Sequence, residues 1–189
     1  MAGVATATAM ILATAVVPAA SAQEVPQRPP RFGIPAEPES YPQDSPKQLL
    51  ASLRKAFERK RVDYVLAHLL DPVFADRKME QYYRQRFGKS RAEDRELTRE
   101  QLDEREKKAL ELFVAEVNDH LSMEPKQSQI FFRLLKDGVV EESGTMATVS
   151  HPSAGGLRLS LRQMGGQWFL LNDLGESTAQ PMPCLLYTS

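Results

Sequence analysis

The sequence predicts an α+β domain in which about five N-terminal helices precede a three- to four-stranded antiparallel meander. Three observations carry this expectation. From residue 46 to residue 136 the apolar residues recur mostly at gaps of three and four; from Val139 onward they alternate with polar ones; and Gly165-Gly166 lies between two such alternating runs.

The first helix opens at Ser45-Pro46-Lys47-Gln48, which supplies an N-cap, a proline at the first helical position and a capping-box glutamine. Leu49, Leu50, Leu53, Ala56 and Phe57 form its buried stripe, while Arg54, Lys55, Arg59, Lys60 and Arg61 lie opposite or beyond. Val62 to Leu70 reads as a second helix with Val65, Leu66, Leu69 and Leu70 inward, ended by Asp71-Pro72 because the residue before proline disfavours helical backbone. A third helix is expected from about Asp76 to Phe87, closed by Gly88. Thr98 to Gln101 repeats the capping box and opens the longest helix, to about Leu121, with the stripe Leu102, Ala109, Leu110, Phe113, Val117 and Leu121. Residues 127–136 read as a helix through Ile130, Phe131, Leu134 and Leu135, although Ile130, Phe132 and Leu134 also fit a strand. Residues 146–151, 157–164 and 167–172 then alternate, and Gly165-Gly166 fits a two-residue hairpin turn whose central residues both need positive φ. Trp168 and Leu170 join the face of Leu157, Leu159 and Leu161, expected to pack on the first and the longest helices.

The segments flanking residues 46–174, read as one domain, have their own signatures. Residues 1–22 carry no charged side chain, run apolar from Ala9 to Val17, break at Pro18 and finish Ala20-Ser21-Ala22, which reads as a signal peptide cleaved before Gln23. The absence of Lys or Arg there leaves two readings: a start further upstream, or a positive charge supplied by the amino terminus alone. Gln23, not Cys, follows the cleavage point, so no lipid anchor is expected. Residues 23–45 contain six prolines and read as an exposed, disordered linker. Residues 175–183 read as a tail. Cys184 to Ser189 match the translation of a transposon-end sequencing adapter and are read as an artefact, which removes the chain's only cysteine from consideration. A domain without cysteine has no disulfide framework, no thiolate nucleophile and no cysteine-ligated metal.

At 42% hydrophobic and 26% charged residues, with a formal charge of −1, the 189-residue chain is globular and lacks the strongly basic balance expected of nucleic-acid binding. No run supplies the roughly 18 apolar residues of a membrane span without reading better as a signal peptide, so no stable insertion is expected after cleavage.

The amphipathic helix, the element Val62-Asp63-Tyr64-Val65-Leu66-Ala67-His68-Leu69-Leu70, the further helices, Thr145 to Val149 and Leu157 to Phe169 with Gly165-Gly166-Gln167-Trp168 together resemble the NTF2-like superfamily, particularly the exported DUF4878-type domains of bacteria. The resemblance covers roughly residues 46–173. It implies an NTF2-like cone or a reduced variant of it, with a pocket or docking surface, and it implies no particular activity. The long helical part and the small number of strands depart from a full cone.

Signatures of common catalytic sites are missing: there is no glycine-rich phosphate loop, H-E-x-x-H, EF-hand pattern or G-x-S-x-G. His68, His120 and His151 lie on three different elements with no pair at i,i+4, so no metal site and no cofactor is expected. His68 reads as a satisfied, partly buried helix residue. Asp63 and His68 would form an acid/base pair only if residues five apart on one helix converged, so Asp63 reads as a cap of the second helix. Charge is segregated: residues 77–91 hold six basic side chains against Glu80, and residues 93–106 hold seven acids against Arg95, Arg99 and Arg105. The two halves read as solvated faces that pair with each other.

The expectation is an exported, secreted or periplasmic, non-enzymatic module that binds an unknown protein or small ligand, with an NTF2-like enzyme using an acid/base pair as the alternative. Its named surface is Tyr82, Tyr83, Arg84 and Arg86, since tyrosine and arginine dominate binding energy at interfaces. Adjacent helical residues point about 100° apart, so one of the two tyrosines is expected to remain partly exposed.

Overall fold

The computed structural model describes residues 29–94 and 96–171. The expected signal peptide, the tail and the six terminal residues lie outside them. Helices α1 (Pro46–Glu58), α2 (Val62–Tyr64, continuing into a π-helical turn at Val65–Leu69), α3 (Pro72–Phe87), α4 (Arg99–Met123) and α5 (Pro125–Asp137) precede four strands, β1 (Val139–Ser143), β2 (Met146–Ser150), β3 (Arg158–Met164) and β4 (Gln167–Leu171). The strands form one antiparallel sheet in the order β1-β2-β3-β4. This is the α+β arrangement that the change of period predicts. Among the described residues no helix is long and apolar enough to cross a membrane.

The helix punctuation works as read. Ser45 Oγ accepts from Gln48 N, and Thr98 and Gln101 close a reciprocal capping box. Residues 125–137 are helical, which settles the helix-or-strand alternative in favour of the 3.6 period. Asp71-Pro72 does more than end the second helix. Its carboxylate accepts from the Val73 and Phe74 amides, so Asp71 is the N-cap and Pro72 the first residue of α3, four residues earlier than expected.

One sheet face carries Ala147, Val149, Leu159, Leu161, Trp168 and Leu170, all buried, against the helices. Strand β4 lies on α1 and the 65–69 turn, whereas α4 packs chiefly on α3, α2 and α5. The core therefore puts Trp168 near the first helix, as expected, but not chiefly against the longest one. Gly165 and Gly166 take φ of 57° and 81°, as the turn between β3 and β4 requires.

Residues 29–45 correct the linker expectation. Phe32 and Tyr41 are buried at 4% and 1% exposure, and Gln43 is buried with them. Arg31 donates to Ala67 O and Pro72 O and pairs with Asp76; Tyr64 Oη accepts from Glu37 N; Lys55 reaches Ser40 O. The segment is a strap over the helices. Two aromatic anchors outweigh the ordering cost, and that cost is itself reduced because proline restricts the unfolded chain.

The junction of α5 and β1 has no room for a side chain. A Cβ on Gly138 would lie 2.3 Å from Leu134 O and 2.4 Å from Val149 Cγ1, so Gly138→Ala must push helix and sheet apart. Overpacking of this kind costs about 1–3 kcal/mol, and because one clash is with backbone we expect the upper end, read as a lowered denaturant midpoint at unchanged slope.

Candidate functional site

Helix α3 carries the predicted surface, and the structure places its four residues differently. Tyr82 and Tyr83 are both buried, at 4% and 0%, while Arg84 and Arg86 are exposed. The expectation that one tyrosine stays partly outside fails because α3 is covered from two directions. Helix α4 covers Tyr82, whose ring stacks on Phe113 with centroids 4.9 Å apart and whose hydroxyl donates to Glu116. The segment after Gly88 folds back over Tyr83, whose ring meets Phe87 and whose hydroxyl donates to Asp94 at 2.5 Å. Arg84 pairs with Glu80 one turn earlier at 2.8 Å.

Residues 88–94 are held down by a polar network. Asp94, buried, accepts from Tyr83 and from Arg105 Nη1 of α4 at 2.5 Å. Arg91 donates to Glu106, also buried on α4. Ser90 and Glu93 bond each other reciprocally through backbone and side chain. Glu106 occupies the gap in the stripe between Leu102 and Ala109, an acid at a core position whose spacing was visible in the sequence and whose partner was not. Thus the basic and acidic halves do meet, through Arg91 and Glu106, but the acids that matter are buried and not solvated.

Electrostatics show what this network suits. The hydrogen bond from Tyr83 and the Arg105 guanidinium hold the Asp94 carboxyl below its ordinary range. Burial and the neighbouring carboxylate push the Tyr83 hydroxyl up; burial and Glu116 do the same to Tyr82. An acid/base pair needs groups brought towards the working pH, and these are driven away from it on both sides. The network is built to fasten a loop.

A pH dependence follows. Asp94 has its folded pKa depressed, so its contribution is present above the unfolded carboxylate value and is lost as pH falls through the folded one. The tyrosines have theirs raised, so their contribution is full below about pH 10, the ordinary tyrosine value, and is lost as pH rises beyond it. In an alkaline titration followed by tyrosinate absorbance, Tyr82 and Tyr83 are expected to ionise late and together with unfolding.

The remaining candidates are dispersed. His68 is buried with Nε2 2.9 Å from Ile34 O, in keeping with a satisfied helix residue. Asp63 takes Arg61 as its ion-pair partner at 3.0 Å and makes no helix cap, which corrects the expectation that it caps the second helix. His151 Nδ1 accepts from Ser153 N and lies 2.8 Å from Ser153 Oγ, which accepts in turn from Arg133. Among the described residues, no three His, Cys, Asp or Glu side chains are grouped to hold a metal ion.

The sheet edges differ sharply. At the β4 edge, Trp168 N donates to Gln43 O at 2.8 Å, Gln43 Nε2 donates to Trp168 O at 2.9 Å, and Asp71 N donates to Leu170 O at 2.9 Å. At the other edge, β1 pairs, among the described residues, with β2 alone; four of its five residues are exposed, with Val139 at 56%. Sequence reading missed this edge because it located the strand period from Val139 without deciding which strand ended the sheet. No family model matches the chain, and neither a curated protein nor a solved structure does.

Proposed function

We propose that the chain is an exported, non-enzymatic binding module that docks a protein partner through the β1 edge of its sheet. The observation that carries this reading is the asymmetry of the edges: one is closed by Gln43 and Asp71, whereas among the described residues no backbone group beyond β2 pairs with β1. Unpaired strand edges accept a further strand, and natural domains usually cover, twist or charge them. The resemblance to NTF2-like exported domains, which implies a pocket or docking surface, agrees with this reading. Arg84 and Arg86 remain exposed on α3 but have lost the buried tyrosines as contact partners, so the docking site moves to the sheet.

Placing a photo-crosslinking residue at exposed Glu142, with exposed Glu111 of α4 as the control position, tests the proposal in cells that export the protein. A discrete adduct from position 142 and none from position 111 is expected. Equal labelling from both positions, or none from 142, would overturn it.

A further inference from the structure

We propose that the partner strand is basic: resting on the docking reading above, β1 takes an extended segment whose two adjacent Lys or Arg residues meet Glu141 and Glu142, followed by two apolar residues against Val140 and Val139. Successive residues of a strand point to opposite faces, so Glu141 stands on the outer face and Glu142 on the helix-packed face. Residues opposite each other on paired strands share a face. A segment complementary to both carboxylates therefore needs two consecutive basic residues, one for each side of the sheet. Neither Glu141 nor Glu142 makes an ion pair among the described residues, and both are exposed, so both charges are available.

The same two residues set the sign of what is refused. In an antiparallel pairing of β1 with a second copy that uses all five residues, Glu141 falls opposite Glu141 of the copy, and like charges directly opposite are destabilising. An acidic or self strand is repelled while a basic one is drawn in, which is specificity by exclusion. Val139 and Val140 contribute β-branched residues that favour an extended neighbour. An antiparallel addition continues the sheet's own pattern, in which every neighbouring pair is antiparallel. Read from its N-terminus, the segment is then basic-basic-apolar-apolar.

The full chain is titrated with the acetylated and amidated peptide Ser-Thr-Lys-Arg-Val-Ile-Thr and with a control carrying Glu-Glu for Lys-Arg, following amide shifts and hydrogen exchange. The expected result is protection of residues 139–143 by the basic peptide and binding about ten-fold weaker by the acidic one, from two cross-strand charge pairs. The variant E141K/E142K, changed only at exposed positions, should reverse the preference; should it misfold, E141Q/E142Q should abolish it. Equal binding of both peptides at β1 would overturn the basic partner and leave edge docking standing. Protection of β1 by neither peptide at millimolar concentration, or only away from residues 139–143, would overturn both readings. Concentration-dependent protection of β1 with no peptide present would make the occupant a second copy and overturn the basic partner.

Discussion

Trp168→Ala should cost about 3–5 kcal/mol, the range for removing a large aromatic side chain from a core, and that could exceed half of the roughly 5–15 kcal/mol available to a domain of this size. Trp168 is 3% exposed on the inner face of β4, beside α1. Its backbone amide and carbonyl are both tied to Gln43, and the neighbouring Leu170 carbonyl is tied to Asp71. Those bonds survive the substitution. They hold β4 in place, so the surroundings cannot collapse into the space the indole leaves, and the cost belongs towards the upper end. The check is the denaturant midpoint at constant slope. An unchanged midpoint would show that the Leu159–Leu161–Trp168–Leu170 face does not form the core.

The elements that sequence periodicity revealed are those in which local and tertiary demands agree. Ser45 and Thr98 cap the helices they precede, the stripe of α4 faces inward, and the glycines of the last hairpin have the positive φ that the turn requires. Misreadings fall where a single residue serves two purposes or where a distant segment decides its environment. Asp71-Pro72 is a stop for one helix and the cap for the next, and only the stop was read. Composition over residues 23–45 is dominated by prolines and hides Phe32 and Tyr41, which reach the core because Arg31, Glu37 and Gln43 have partners 25 or more residues away. The π-helical turn at Val65–Leu69 has no periodic signature of its own: it lies inside an apolar run buried on every side. Of the candidate site, the exposure of Arg84 and Arg86 was legible, the burial of both tyrosines was not, and the open edge required the strand order.

The second large effect is expected at Tyr83, and it separates a core residue from a docking residue. Tyr83→Ala removes a fully buried ring packed against Phe87 and takes the hydroxyl donor from Asp94, so we expect a loss of about 3–5 kcal/mol, as for other buried aromatics. Tyr83→Phe keeps the ring and removes only the donor. Asp94 retains Arg105, so the loss should be near the lower end for a hydrogen bond to a charged group, about 1.5 kcal/mol. Arg84→Ala and Arg86→Ala, on the exposed side of the same turn, should stay within about 0.5 kcal/mol of the parent. Thermal or denaturant unfolding of the four variants gives the ordering. If Tyr83→Ala leaves the midpoint unchanged while all four weaken capture of a partner, the tyrosine is a surface contact and the loop 88–94 does not close over it. If the midpoint falls as expected, residues 88–94 should also gain hydrogen exchange and protease sensitivity ahead of the rest of the domain. Tyr83, through Asp94, is one of the few buried anchors that segment has, and a segment held by few anchors opens locally before the core does.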